Sequence, residues 1–121
     1  MAERILVSCT HGEDDAERAT VPFIVAGVAA ASGHDAAVVC TAEGVWIGTR
    51  GYADRIVKEG MAPLRDLYDQ LLGSGGEVWL CSACTNVRGI TEDNLAEGAR
   101  IVGAAQIVEA IAAGARSVNL T

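Results

Sequence analysis

The amino-acid sequence predicts an α/β protein, a three-layer α/β/α sandwich with a central parallel sheet of about five strands. Short runs of β-branched and other apolar residues lack the alternation of a half-exposed strand, so they indicate strands covered on both faces. Segments with helical spacing of apolar residues lie between these runs, and that order predicts parallel pairing. The strands are predicted over residues 4–9, 35–41, 77–81, 99–102 and 115–120.

The first helix is predicted after the first strand, where apolar residues recur at helical spacing from Phe23 to Ala31. Pro22 cannot lie deep inside a helix without the loss of a hydrogen bond. We therefore expect Thr20 to be the N-cap, with Pro22 in the first turn. Gly33 is expected to end this helix.

Two further helices follow. Pro63 begins the segment "PLRDLYDQLLG" and Gly73 ends it, with one apolar face made of Leu64, Leu67, Tyr68, Leu71 and Leu72. The last helix is predicted over residues 103–113, with an inward face made of Ile107, Val108 and Ile111.

Length and composition indicate a single domain over residues 1–121. Half of the residues are hydrophobic but only 4% are aromatic, so aliphatic and alanine side chains must build the core. The longest apolar run, "VPFIVAGVAAA", is about half of the roughly 20 residues needed to cross a bilayer. The apolar run at residues 5–7 is too short for a signal peptide. We therefore expect a soluble cytoplasmic protein that has no membrane partner.

The formal net charge of −7 is spread over a chain whose arginines stand singly. Binding to a phosphate backbone needs clustered Lys and Arg side chains. We therefore expect no direct binding to nucleic acid.

The cysteines provide the main evidence for chemistry. In open parallel sheets, ligands bind outside the carboxyl ends of the strands. Cys9 and Cys81 end predicted strands, and Cys40 lies with Thr41 and Glu43 at the end of another, so three of the four cysteines are expected at the same edge. Free cysteines are often buried, and we expect Cys9 and Cys40 to be packing residues.

The loop "CSACTNVRGI" (81–90) is the strongest candidate site. Cys81 stands at a strand-to-helix junction, where backbone N–H groups can stabilise a nucleophilic thiolate. Arg88 adds a positive charge, Gly89 allows a tight turn, and Thr91 can cap the next helical turn. Cys84 either resolves an adduct on Cys81 or is only a loop residue.

Other residues near this edge are weaker candidates. His11 is either a proton acceptor near the thiol or part of a local cap in which Thr10 and Glu13 have capping-box spacing. Arg50 and Tyr52 could line a groove for a partner or ligand, or be ordinary surface residues.

Three other kinds of site fit the sequence less well. A structural zinc site needs four ligands, whereas one CxxC supplies two. A thioredoxin-type CxxC usually follows the first strand of its unit, and here the pair follows a later strand. The segment "SCTHGEDD" after the first strand is not a phosphate loop. We therefore expect no metal and no cofactor.

The stretch "VWLCSACTNVRGI" resembles the DsrE/DsrF-like family, and within it the YchN-like group that carries a CxxC. Further similarity lies in "ILVSCTHGEDDAERA", in "SGHDAAVV", in "AEGV" at 42–45 and in "EGARIVGAAQIVEAIAAGARSVNL". The resemblance covers nearly the whole chain. It implies a DsrE-like α/β sandwich that assembles as a trimer or hexamer.

In the sulfur-relay members of that family, a cysteine of this loop accepts sulfane sulfur as a persulfide and passes it on. The position before the Arg-Gly turn corresponds to Cys81. The resemblance therefore implies a cytoplasmic sulfur-relay or sulfurtransferase-like protein, with Cys84 as second thiol, Arg88 as anion partner and a protein as sulfur donor or acceptor. The alternative is a non-catalytic oligomeric module that binds a partner or senses redox state.

Overall fold

The computed structural model describes residues 3–120. Five parallel strands form one sheet in the order β4-β3-β2-β1-β5. The predicted fold class is confirmed, and two strands are shorter than expected at their ends. The strands are β1 (Arg4–Cys9), β2 (Asp35–Cys40), β3 (Glu77–Cys81), β4 (Ala99–Val102) and β5 (Arg116–Val118).

Four α-helices connect or flank the strands: α1 (Ala16–Ala31), α2 (Leu64–Gly73), α3 (Ser82–Asn86) and α4 (Ala104–Ala112). Three 3₁₀ segments complete the chain, at Ala42–Gly48, Tyr52–Arg55 and Glu92–Asn94. None of the helices in residues 3–120 is long and apolar enough to cross a membrane.

Alternate residues of each strand point to opposite faces of the sheet, and this divides the core in two. On one face, α1 and α2 pack on the sheet through buried side chains that include Phe23, Leu71 and Leu80. On the other face α4 covers a smaller cluster, which consists of Leu6, Ala37, Val39, Trp79 and Val102. The three layers are therefore unequal, and the second face has a single helix over it.

Helix α1 begins earlier than expected, and the predicted Thr20 cap is wrong. Asp15 is the N-cap, and its carboxylate accepts a hydrogen bond from the Arg18 N–H at 3.0 Å. That hydrogen bond, followed by the ion pair with Arg18, lowers the pKa of Asp15. Thr20 is fully buried and donates to the Ala16 carbonyl, while Pro22 lies inside the helix. The free energy gained by burying Pro22 on the core face exceeds the cost of the backbone hydrogen bond that this residue cannot make.

The structure confirms the prediction for helix α2 but only part of the prediction for helix α4. Helix α2 begins after Pro63 and ends at Gly73 as predicted, and its Leu64 and Leu71 are fully buried. In α4 the expected inward face is wrong for Val108 and Ile111, which are exposed, whereas Ile107 does pack on the sheet. The residues of α4 that pack on the sheet are instead Ile107 and Ala110, and both are only partly buried.

Candidate functional site

The carboxyl ends of the first three strands bring the cysteines to one edge of the sheet. Cys9 and Cys40 are directly opposite each other in the β1–β2 register. Cys81 ends β3, which is paired with β2 on its other side. The arrangement expected from the strand pattern is therefore present.

Cys9 and Cys40 lie inside the core. Both are fully buried, and the Cys9 thiol lies 3.4 Å from the His11 carbonyl and 3.8 Å from the Ala19 carbonyl. The neighbouring Cys9 thiol and the burial both raise the pKa of Cys40. These two thiols are therefore closed to reagents, in keeping with the packing role expected for them.

The two cysteines of the CxxC are partly exposed residues. Cys81 and Cys84 are half-buried, and all four cysteines are free. Cys81 has extended backbone angles as the N-cap of α3, and Cys84 is the third residue of that helix. Helix α3 has only one turn and five residues, so its own dipole contributes little here.

Cys84 has a specific contact that the sequence did not indicate. The backbone N–H of Ala42 donates to the Cys84 Sγ at a distance of 3.2 Å. Ala42 has φ +50°, the only positive φ of a non-glycine residue in the described chain. A strained backbone of this kind persists only where surrounding contacts hold it. Among the described residues 3–120, the Cys81 thiol makes no hydrogen bond.

Arg88 connects the cysteine loop to the segment after β2. Its Nε and one terminal nitrogen lie 2.9 Å and 2.8 Å from the Glu43 carboxylate, and the other terminal nitrogen donates to the Cys84 carbonyl at 3.1 Å. The guanidinium is thus bound to Glu43 and to the backbone of Cys84. Its predicted role as a partner for an anion on Cys81 stays a prediction.

The sequence places Glu43 at this edge but gives it no role, and it does not single out Ala42. Both residues follow β2 after Thr41 and precede the small residue Gly44, and only their place after a strand end marks them. We call the three contacts among Ala42, Glu43, Cys84 and Arg88 the thiol clamp.

The rest of the 81–91 loop forms as predicted. Gly89 has φ +70°, a conformation that glycine adopts at little cost. The side chain of Asn94 accepts from the Thr91 N–H at 2.8 Å, and Thr91 is the N-cap of the 3₁₀ turn at Glu92–Asn94. This turn closes the loop on its far side.

The expected cap at Thr10 and Glu13 is wrong. The Thr10 hydroxyl instead lies 2.9 Å from the His11 ring, and the Glu13 N–H donates to the Tyr52 hydroxyl. The cap fails because helix α1 begins after Asp15, beyond this segment. The role of His11 as a proton acceptor stays a prediction.

Arg50 lies beside the thiol clamp. It lines an open groove of about 310 Å³ together with Trp46, Arg88 and Gly89. Its guanidinium donates to the backbone carbonyls of Asp93 and Leu95. Tyr52 is not part of this groove lining. Its ring stacks on Trp46 and lies under Arg55, and burial raises its pKa.

A metal centre would need ligands that converge. In the part of the chain that the structure describes, no three side chains of His, Cys, Asp or Glu are arranged to hold a metal ion. This edge does carry two partly exposed cysteines beside a backbone N–H donor.

Known proteins resemble this chain over its whole described length. Two solved structures share the fold at 20% sequence identity each. The ychN protein from E. coli has a TM-score of 0.78, with coverage of 99% of this chain and 100% of that one. Protein MTH1491 of Methanobacterium thermoautotrophicum, a protein of unknown function, has a TM-score of 0.76, with coverage of 98% and 99%.

Among curated proteins, uncharacterized protein MJ0760 of Methanocaldococcus jannaschii is 29% identical over 102 residues. The match takes in 84% of this chain but 37% of that relative, so this chain spans well under half of its length. The sequence pattern of the DsrE/DsrF-like family matches residues 3–120. The chain therefore belongs to the DsrE/DsrF-like family.

Proposed function

We propose that this protein is a cytoplasmic sulfur carrier that holds sulfane sulfur as a persulfide on Cys81. The observation that carries the proposal is the contrast between two pairs of thiols at one sheet edge. Cys81 and Cys84 are partly exposed, whereas Cys9 and Cys40 are fully buried. Family membership supports a sulfur-relay role for the accessible pair.

The loading step needs only a thiolate and a persulfide donor R–S–SH. The Cys81 thiolate attacks the outer sulfur of the donor and breaks the donor's S–S bond. The products are Cys81–S–SH and R–S⁻, so one sulfur atom and one proton move together and no external oxidant is consumed. Thiolates are the attacking species in such exchanges.

Cys84 provides a second step. Its thiolate attacks the inner sulfur of the Cys81 persulfide, the Cys81–Cys84 disulfide forms, and HS⁻ leaves. A thiol reductant must then restore both cysteines. Residues three apart at a helix start have Cβ atoms about 5–6 Å apart. A disulfide needs about 3.5–4.5 Å, so a small backbone adjustment closes it.

Mass spectrometry tests the proposal directly. The parent protein and the Cys81→Ser, Cys84→Ser and Cys9→Ser variants are exposed to a low-molecular-weight persulfide. We expect an adduct with the mass of one sulfur atom on the parent and on Cys9→Ser, and a stable adduct on Cys84→Ser, which lacks the resolving thiol. Cys81→Ser, which keeps the Cys84 thiol, is expected to gain the adduct much more slowly than Cys84→Ser. If Cys81→Ser acquires the adduct as fast as Cys84→Ser, the assignment is wrong.

A second candidate is a non-catalytic module that binds a protein partner and uses its thiols passively or as redox sensors. Val87 favours it, because this apolar side chain is 79% exposed within the cysteine loop. The rate of thiol alkylation separates the two candidates. A Cys81 that reacts no faster than a small-molecule thiol at neutral pH would favour the binding module.

A further inference from the structure

The thiol clamp joins two segments that are about 40 residues apart in sequence. At one end the Ala42 N–H meets the Cys84 Sγ. At the other end the Glu43 carboxylate binds Arg88, which also holds the Cys84 carbonyl. Because Ala42 and Glu43 are consecutive, the ion pair lies one residue beyond the Thr41–Ala42 peptide, whose N–H faces the sulfur.

The backbone at Ala42 shows that this peptide does not rest in its preferred conformation. A left-handed φ in a residue with a Cβ costs on the order of 1–3 kcal/mol. Backbone hydrogen bonds from the Thr41 N–H to the Cys9 carbonyl and from the Gly44 N–H to the Thr41 carbonyl hold part of this turn. The contacts made by Glu43 and by the Cys84 sulfur tie the same turn to the cysteine loop.

A backbone N–H directed at sulfur has a chemical consequence. A hydrogen bond to the charged form of a group favours that form, and thiolate sulfur is a better acceptor than the thiol. The Arg88 guanidinium holds the carbonyl of the same cysteine, and its charge is balanced by Glu43, so the Ala42 N–H is the donor that acts on the sulfur. Both contacts concern Cys84 rather than Cys81.

We propose that Glu43 is a positioning residue, which acts through Arg88 to hold the Ala42 N–H against Cys84 and so keeps Cys84 available as a thiolate. The inference rests on the proposed function in one respect, since it makes Cys84 the nucleophile of the second step. Ala42 contributes only its backbone, which explains why no side-chain motif signals it.

The test uses the Cys81→Ser protein, in which Cys84 is the one thiol outside the core. Its alkylation by iodoacetamide is followed at pH 7 and at pH 10. The variants Glu43→Gln and Arg88→Gln break the ion pair, and Glu43→Asp keeps the charge. Asp69→Asn is the matched control, because it removes an exposed acid that pairs with an arginine far from the cysteines.

We expect Glu43→Gln and Arg88→Gln each to lower the ratio of the rate at pH 7 to the rate at pH 10. The loss of a charge-assisted hydrogen bond can lower this ratio about tenfold. The rate at pH 7 falls less, about threefold, because a thiolate that has lost the hydrogen bond is intrinsically more nucleophilic. The double variant is expected to fall no further, and Glu43→Asp to recover most of the ratio. Asp69→Asn should match the parent.

An unchanged or higher ratio in Glu43→Gln and Arg88→Gln overturns the proposal. Equal changes at both pH values also overturn it, because they would indicate altered access to the sulfur and not altered ionisation. Should one variant unfold, the other tests the same ion pair. The experiment needs no persulfide. A failure of persulfide loading on Cys81 can therefore be told apart from a failure of the proposal for Glu43.

Discussion

At the scale of single residues, the cysteine edge depends on how closely the backbone segments approach one another. A Cβ added to Gly44 would lie 2.4 Å from the Cys9 carbonyl oxygen, and a backbone atom cannot move aside as a flexible side chain does. Gly44 directly follows Ala42 and Glu43, so this close approach seats the thiol clamp against β1. Side-chain chemistry at the site therefore depends on a residue that has no side chain.

We expect Gly44→Ala to lower the free energy of unfolding by about 3 kcal/mol, the upper end of the usual cost of overpacking. Gly27→Ala is the control, because Gly27 lies inside α1 with nothing within 4 Å of the added Cβ. That control should gain about 1 kcal/mol from helix propensity. Urea denaturation measures both, and equal effects at the two positions would contradict the close-approach argument.

At the scale of elements, the sequence predicted what local spacing determines and missed what packing determines. The strand cores and the bounds of α2 follow from apolar runs and from Pro63 and Gly73. The start of α1 could not be predicted in this way. In the sequence Pro22 indicates a helix boundary, whereas in the structure it lies inside α1 on the buried face. The face of α4 that packs on the sheet could not be predicted either, because the sequence pattern gave alanine less weight than valine as a core residue.

Helix α2 is joined to the segment before β4 by one hydrogen bond, from the Tyr68 hydroxyl to the Glu97 carbonyl at 2.7 Å. Burial raises the pKa of Tyr68 well above its usual value of 10.0. The unfolded chain therefore loses this proton at a lower pH than the folded one. The stability that the neutral phenol contributes is complete below about pH 10 and declines as the pH rises further.

The variant Tyr68→Phe removes both the hydrogen bond and the titration. We expect it to lower the free energy of unfolding by about 1 kcal/mol at pH 7, the usual net value of one such bond. Above pH 10 the parent should lose stability faster than the variant, so that the difference narrows. Urea denaturation from pH 7 to pH 11 checks this, and a difference that widens with pH would contradict the burial argument.

At the scale of the whole molecule, the sequence predicted the cysteines of the candidate site but not the contacts that they make. Cys81 and Cys84 could be identified as candidates from the sequence because they form a CxxC that begins at a predicted strand end. Glu43 could be placed at the same edge, but its ion pair with Arg88 and the contact of the Ala42 N–H could not be predicted. Only the β2–β3 pairing brings residues about 40 apart into contact, and a backbone N–H has no signature in the sequence.

The second face of the sheet leads to the last prediction, which concerns assembly. Helix α4 alone covers this face, and its Val108 and Ile111 are 65% and 43% exposed although the sequence pattern marks them as core residues. Apolar side chains grouped on one helix are typical of a surface that another molecule covers. We expect the protein to form a homo-oligomer, a trimer or hexamer, with α4 in the interface.

Sedimentation velocity of the parent and of the Val108→Glu, Ile111→Glu double variant tests this assembly. A charge placed at each position would have to be desolvated in an apolar contact, so the double variant should sediment as a monomer or shift toward it by tens of fold in dissociation constant. Val57→Glu is the control, because Val57 is 60% exposed but lies in the loop before α2. If the control dissociates as readily as the double variant, or if the parent is itself a monomer, α4 is not the contact surface and its apolar residues are simply exposed.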